Sequence, residues 1–276
     1  MVDVDTIQSR AKKYASIKYS LAILDLIYLL SLLLLFQGLG LSTLLAGTLS
    51  QLLRNKFFII PTYVALGYIA YYILALPLNF YQSFILEHKF SLSNQKIKDW
   101  FKDQVRAGII SYIIALILVV TFYYILGRYQ NTWWLIISLF WIFFSLILAK
   151  LTPIVIIPLF FKYKKFSDEV LRERILSLAK RMGIKILDVF EIDFSKKTLK
   201  ANAAFVGVGN TKRVILADTL KEKYTYDEIE VILAHEFAHY RLRHLLKLIF
   251  VNSVFTIICF YLIFKTSGFA LNLFGL

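Results

Sequence analysis

Residues 225–239 have the sequence TYDEIEVILAHEFAH, and this stretch decides what kind of domain the chain contains. Thr225 followed three residues later by Glu228 is the pattern of a helix capping box. The apolar residues that come next predict a helix that buries one of its sides. His235 and His239 lie four residues apart, so both imidazole rings should project from the same face of that helix.

Two imidazoles on one helix face, with a glutamate directly after the first, form a His-Glu-x-x-His pattern that is typical of zinc peptidases. His235 and His239 can bind one zinc ion, and Glu236 can accept a proton from water that the ion activates. We therefore predict zinc as the cofactor, the two histidines as its ligands and Glu236 as the general base. The competing interpretation is an amphipathic helix that carries two histidines without binding metal. The helix cap, and the presence of three of the chain's four histidines within ten residues, favour the metal site.

The third histidine of this cluster, His244, follows His239 by five residues without an intervening glycine. In the metzincin pattern, a third ligand lies six residues after the second histidine and a glycine turns the chain between them. On a helix that continues past His239, His244 would point away from the two predicted ligands. We therefore expect His244 to lie at an interface or to support a ligand, rather than to bind the ion itself.

The composition indicates a membrane protein. Hydrophobic residues make up 59% of the 276 residues, against about 45–50% in soluble domains. Five apolar segments are long enough for a bilayer, which needs roughly 20 helical residues; they cover about 19–38, 57–78, 108–126, 133–161 and 245–264. The net charge of +14 is more typical of cytoplasmic loops than of a nucleic-acid surface, and no nucleic-acid motif is visible. We expect a lipid bilayer as partner and no nucleic acid.

The distribution of Lys and Arg predicts the topology. These residues are concentrated in the N-terminal tail and between the second and third segments, whereas the opposite side carries only Arg54, Lys56 and Arg128. The positive-inside rule places the N-terminus and the soluble segment after the fourth span in the cytoplasm. The predicted organisation is therefore a four-span region at 1–161, a cytoplasmic zinc-protease domain at 162–244, and a fifth span with a tail at 245–276.

The soluble segment has the signals of a small α+β, zincin-like domain within a mainly α, polytopic membrane protein. A helix should begin at residues 167–169, bury an apolar stripe and end at Gly183. Residues 185–193 are typical of a strand. Strands at 203–206 and 213–217 should form a hairpin around the turn at 207–210. Asp218 or Thr219 is expected to cap a short helix.

Several blocks of the chain, in the right order, resemble the type I CaaX prenyl endopeptidases, a family of polytopic membrane zinc proteases. The blocks lie at 76–87, 157–160, 193–205, 214–220 and 235–244. The resemblance implies a large helical barrel around a water-filled chamber, with the zinc site facing inward. It also implies that Asn202 and Ala203 lie on an edge strand that pairs with an extended substrate. The expected substrate is a peptide or protein, either a prenylated C-terminus or a misfolded membrane protein.

The same resemblance implies a third zinc ligand, a glutamate in a helix well downstream, followed by an arginine and a histidine that help to bind substrate. No aspartate or glutamate follows Glu236, and the sequence ends at Leu276. We therefore expect the chain to be a truncated part of a longer protein. The main alternative to a zinc endopeptidase is a non-catalytic membrane scaffold or an inactive fragment. A transporter is less favoured, because Asp25 is the only acidic residue within the predicted spans.

Overall fold

Long helices dominate the computed structural model, which describes residues 4–206 and 212–274. Within these residues, five helical stretches are long and apolar enough to cross a membrane, namely Gln8–Gly38, Lys56–Lys89, Ile97–Arg128, Trp133–Phe160 and His244–Phe269. This confirms the predicted mainly α, multi-span fold class. The helices are α1 (Val4–Gly38), α2 (Leu41–Leu52), α3 (Ile59–Phe80), α4 (Leu86–Lys89), α5 (Ile97–Arg128), α6 (Trp133–Leu151), α7 (Ile157–Phe160), α8 (Glu169–Arg181), α9 (Asp218–Lys223), α10 (Tyr226–Arg241) and α11 (His244–Phe274).

The short helix α2 was not predicted from the sequence. Its 12 residues extend about 18 Å, which is well short of a hydrocarbon core about 30 Å thick. Gly40, with a φ of +69°, separates it from α1. A hydrogen bond of 2.8 Å between the Ser42 and Tyr63 hydroxyls then ties α2 to α3.

The chain divides into two compact units, Met1–Val120 and Thr121–Leu276. In the first unit, Glu87 of α4 is buried and connects α4 to α1. Its carboxylate accepts a 2.6 Å hydrogen bond from the Tyr14 hydroxyl and lies 3.2 Å from the Lys18 ammonium. A buried carboxylate is costly unless it is paired. These contacts therefore hold α4 against the N-terminal part of α1, which is the end predicted to face the cytoplasm.

In the second unit, aromatic contacts hold α6 against α11. Trp133 meets Phe264 edge-on at a centroid distance of 5.9 Å, and Trp134 meets Tyr261 at 5.0 Å. Such edge-to-face pairs contribute beyond the area they bury. The fifth span is therefore packed against the fourth by specific ring contacts.

The four strands form one mixed sheet in the order β1-β2-β4-β3. They are β1 (Tyr163–Lys165), β2 (Asp188–Ile192), β3 (Ala203–Val206) and β4 (Arg213–Ala217). β1 pairs antiparallel with β2, β2 pairs parallel with β4, and β3 pairs antiparallel with β4. β3 and β4 have the predicted bounds, β2 is shorter than predicted, and β1 was missed. The predicted turn at 207–210 lies outside the described residues.

One layer of apolar side chains joins α8 and α10 to the sheet. Leu171 and Ile175 of α8 are fully buried, as are Leu233 and Phe237 of α10 and Val214 of β4. Burial of each such side chain stabilises the fold by about 1.5–3 kcal/mol. The two compact units divide inside α5 and not at residues 161 or 244. That division does not test the domain bounds predicted from the sequence, which stay a prediction.

The helix ends of this unit agree with the predicted signals except at α9. Asp168 accepts a 3.0 Å bond from the Leu171 N–H and caps α8 as expected. The helix ends before Gly183, whose φ is +70°. α9 begins at Asp218 with Ala217 in the capping position, so the prediction that Asp218 or Thr219 caps it was wrong. Asp218 instead accepts bonds from the Ser195 N–H and from Thr219's own N–H, because its side chain is already inside the first turn.

The contact between α8 and α10 makes stability depend on pH. The Tyr226 hydroxyl donates a 2.6 Å bond to Asp168, and this bond, with that from the Leu171 N–H, holds the pKa of Asp168 below its ordinary value. A depressed carboxyl pKa adds stability above the unfolded-state pKa near 4 and loses it as the pH falls through the folded value. Asp168→Asn should therefore lower the melting temperature at pH 7 by about 2–4 °C, the equivalent of roughly 1 kcal/mol.

Asparagine caps helices as well as aspartate does, so this variant isolates the charged contact with Tyr226. Thermal unfolding of the full chain in detergent between pH 3 and 7 would measure it. The difference from the unmodified chain should shrink toward pH 3, and a constant difference across that range would contradict the assignment. Glu222→Gln is the matched control, because Glu222 is exposed and forms no ion pair among the described residues.

Candidate metal centre

The helix that carries the predicted ligands is fixed at its N-terminus by the capping box. The Thr225 side chain accepts from the Glu228 N–H, and the Glu228 carboxylate accepts a 2.8 Å bond from the Thr225 N–H. That backbone N–H lowers the pKa of Glu228, as expected for a carboxylate that accepts hydrogen bonds. The first turn of α10 is therefore set where the sequence predicts it.

The rotation of α10 is set by its buried side. Ile229, Leu233 and Phe237 repeat every four residues and are 0% exposed. His235 and His239 lie on another side of the helix, and both are exposed. The burial of one stripe therefore leaves the two imidazoles free to bind a ligand.

The two imidazoles approach each other through their Nε2 atoms. The Nε2 atoms of His235 and His239 are 3.0 Å apart. Two nitrogens on a tetrahedral zinc ion, each about 2.05 Å from the metal, would be about 3.3 Å apart. A small outward rotation of the rings reaches that spacing, so the pair fits a shared zinc ion. Glu236 lies between the two histidines in sequence and is half-buried.

His244 was expected to support a ligand or lie at an interface, and it contacts His239, but the helix break that brings the two together was not predicted. The helix expected to continue past His239 ends at Arg241, and α11 begins at His244. Arg243 between them has a φ of +56°, in the left-handed region that residues other than glycine rarely adopt. The resulting bend brings His244 Nδ1 to 2.7 Å from His239 Nδ1. No glycine or proline marks this break in the sequence, so it could not be predicted from local patterns.

The three histidines do not form a three-ligand metal site as they stand. His239 directs Nε2 toward His235 and Nδ1 toward His244, on two different edges of its ring. One ion cannot bind all three contacting nitrogens in this arrangement. Among residues 4–206 and 212–274, no group of three or more His, Cys, Asp or Glu side chains is placed to hold a metal. The described residues therefore supply two ligands, of the three protein ligands that catalytic zinc sites normally use.

The strand beside the ligand helix is β3, at the outer edge of the sheet. Phe205 of β3 packs against Phe237 and Tyr240 of α10, with ring centroids 5.5 and 5.0 Å apart. Ala203 packs against the same apolar core. Asn202 is exposed and lies one residue before the strand begins. The structure therefore brings the predicted substrate strand next to the helix with the two histidines.

The hydrogen-bond pattern shows which backbone groups of β3 face outward. The Asn202 carbonyl accepts a 2.9 Å bond from the Ala217 N–H, so these two residues form a hydrogen-bonded pair with β4. Antiparallel pairs alternate, which leaves Ala203 and Phe205 as non-hydrogen-bonded partners of Leu216 and Val214. Their N–H and C=O groups therefore point away from β4, to an edge that no other described strand covers. Sequence reasoning missed Phe205, because this alternation depends on register with β4.

The segment that leads into β3 is held by side chains on both sides of it. The Ser195 hydroxyl donates a 2.5 Å bond to Asp218, and the Thr219 hydroxyl donates a 2.8 Å bond to the Lys200 carbonyl. At its start, Asp193 accepts a 2.6 Å bond from the Lys162 N–H. Burial opposes the charged form of Asp193, yet the bonds from Lys196 and from the Lys162 N–H keep its pKa below the ordinary value. These hydrogen bonds therefore hold in place the segment that precedes β3.

Two family models match almost the whole chain. Residues 3–162 match the model described as the CAAX prenyl protease N-terminal region with five membrane helices, and residues 166–275 match that of peptidase family M48. The chain belongs to the CAAX prenyl protease family. This membership confirms the resemblance seen in the sequence blocks, and it implies a metal cofactor. The sequence predicted four spans in the first region, where the structure has the short α2 in addition.

Individual members of the family are similar over parts of their length. CAAX prenyl protease 1 of Saccharomyces cerevisiae is 31% identical over 206 residues, which are 72% of this chain and 45% of the relative. A Bacillus subtilis protein described as the uncharacterized metalloprotease YhfN is 36% identical over 155 residues, 56% of this chain and 36% of that protein. The crystal structure of S. mikatae Ste24p matches with a TM-score of 0.82 and 26% identity, covering 96% of this chain and 62% of that one. The chain thus spans less than two thirds of these CAAX prenyl protease relatives.

The metal site predicts a specific loss on substitution. His235→Ala removes one of the two converging nitrogens, so the zinc dissociation constant of the full chain in detergent should rise by at least about 100-fold. Chelator competition followed by elemental analysis measures this. His88→Ala is the matched control, because the His88 ring bonds the Phe84 carbonyl in its own helix at 2.8 Å in the other unit. Equal zinc affinity in the two variants would rule out His235 as a ligand.

Proposed function

We propose that this chain carries the metal-binding helix and the substrate strand of a zinc-dependent membrane endopeptidase. The observation that carries the proposal is the 3.0 Å approach of the His235 and His239 Nε2 atoms on the helix that packs against the free edge strand β3. Metal ligands beside a strand edge that is unpaired among the described residues suit the hydrolysis of an extended peptide.

Three residues of α10 then have defined roles. His235 and His239 would hold the ion. Zinc, when bound, supplies a Lewis acid that polarises the scissile carbonyl and makes water more acidic. The Glu236 carboxylate accepts the proton of the attacking water and returns it to the leaving amine, as a general base and then a general acid.

The substrate backbone adds to β3 as a further antiparallel or parallel strand. Ala203 and Phe205 offer outward N–H and C=O groups for its backbone, while Asn202 is exposed at the entry of the strand. Backbone hydrogen bonds of this kind can form with many substrate sequences, because they do not depend on the identity of the side chains. The name of the S. cerevisiae relative favours a CaaX-type C-terminus, prenylated or not, as the substrate. Misfolded membrane proteins, cleaved in quality control, are the second substrate class.

The segment at 162–244, which carries the proposed metal ligands, should face the cytoplasm. The connection between the second and third spans and the N-terminal tail are rich in Lys and Arg. The positive-inside rule places these segments, and with them residues 162–244, on the cytoplasmic side. Accessibility of single introduced cysteines to a membrane-impermeant reagent would test this placement.

The role of Glu236 gives the most direct test of catalysis. Glu236→Gln keeps the size of the side chain but cannot accept a proton, so cleavage by the full-length protein should fall by about 10²–10⁴-fold while zinc content stays unchanged. A fluorogenic peptide assay with parallel elemental analysis measures both. Glu222→Gln, on the exposed side of α9, is the matched control. Full activity of Glu236→Gln would support a base elsewhere, and zinc binding without cleavage by the unmodified protein would favour the scaffold alternative.

The substrate strand makes a separate prediction. Ala203→Pro removes an outward N–H that forms no bond to β4, and proline is tolerated at such edge positions. We therefore expect an unchanged melting temperature but a rise in KM of about 10-fold, because one main-chain bond to the substrate is lost. Ala203→Ser is the control, since it alters the side chain and keeps the N–H. An unchanged KM in the proline variant would contradict substrate pairing at β3.

A further inference from the structure

The contact between His239 and His244 has the geometry of a hydrogen bond between two ring nitrogens. The two Nδ1 atoms are 2.7 Å apart, and the rings are inclined by 71° with centroids 4.9 Å apart. At that distance one of the two nitrogens must carry the hydrogen, because two lone pairs would repel each other. His244 is half-buried, in contrast to the exposed His235 and His239.

Metal binding by His239 decides where that hydrogen lies. A neutral imidazole that presents the Nε2 lone pair to an ion carries its hydrogen on Nδ1. His239 then donates from Nδ1, and His244 accepts at Nδ1 with its own hydrogen on Nε2. Metal-bound histidines almost always donate their second ring N–H to an acceptor, which fixes the tautomer and the ring orientation. In this chain the acceptor at that position is an imidazole.

The backbone is bent at the place that creates this contact. On a continuous helix, five residues correspond to a rotation of about 140° and a rise of about 7.5 Å, which would separate the two rings. The bend at Leu242 and Arg243 removes that separation, with Arg243 held at a φ of +56°. Backbone in this unfavourable region persists when the surrounding structure requires it, and such residues cluster at functional sites.

We propose that His244 is a positioning residue, which holds His239 in the tautomer and orientation that bind the metal. The inference rests on the proposed zinc site at His235 and His239. His244 acts through His239 and does not touch the ion itself, in contrast to a third ligand. It is the side chain among the described residues that contacts the Nδ1 edge of His239.

Two substitutions of His244 separate this role from others. The Asn amide oxygen lies the same number of bonds from the backbone as His Nδ1, so His244→Asn keeps an acceptor where His244→Ala has none. Zinc affinity of the full chain in detergent, measured by chelator competition, should fall about 10–100-fold in His244→Ala and return to within about 3-fold of the original in His244→Asn. The Co²⁺ absorption spectrum reports the ligand set and should be the same in the original chain and in His244→Asn.

The outcomes distinguish the possible failures. Unchanged affinity in His244→Ala would overturn the inference while leaving the metal site intact. Weak binding in both variants, with a changed Co²⁺ spectrum in His244→Asn, would make His244 a ligand and also overturn it. Zinc binding by the original chain no tighter than that of His235→Ala would instead refute the proposed metal site on which the inference depends.

The bend can be tested without touching the histidine. Arg243→Gly and Arg243→Val both remove the guanidinium, but glycine adopts a positive φ freely and a β-branched residue does not. We expect Arg243→Gly to keep the zinc affinity and Arg243→Val to reduce it as His244→Ala does. Equal affinity in the two Arg243 variants would show that the bend does not position His244.

Discussion

Burial of one stripe of α10 is the constraint on which the site depends. Ile229, Leu233 and Phe237 are packed against α8 and the sheet, so the helix cannot rotate without exposing them. That fixed rotation presents His235 and His239 away from the core. The same packing brings Phe205, and with it the edge strand, against the helix. A mutation that loosened this stripe would disturb the metal ligands and the substrate strand together, although it touched neither.

Interactions close in sequence account for what could be predicted before the structure. The capping box at Thr225 and Glu228, the pair of histidines and the bounds of β3 and β4 all depend on residues a few positions apart. The family resemblance also follows from short blocks, and the family models confirm it. By contrast, β1 is three residues long and pairs with residues of β2 that lie 25 to 29 positions further on. Its own sequence, Tyr163 to Lys165, contains no alternating apolar pattern.

The bend after α10 is the feature of the site that sequence reasoning could not supply. Leu242 and Arg243 are both compatible with a helix, so local propensity predicts continuation. The left-handed Arg243 instead lies where α10 ends and α11, which packs against α6, begins. The position of His244 is therefore decided by tertiary structure. The same holds for Phe205, whose outward backbone groups follow from register with β4.

The order of the strands also sets a length scale. Only two residues separate the end of α7, within the fourth candidate span, from β1. Neighbouring strands lie about 4.8 Å apart, so β3 is about 14 Å from β1 across the sheet and a peptide added to β3 would lie at about 19 Å. An extended chain covers that distance with about six residues. The strand order therefore sets a minimum substrate length. A substrate that leaves the bilayer beside α7 needs an extended segment of about six residues to reach the edge beside the histidines.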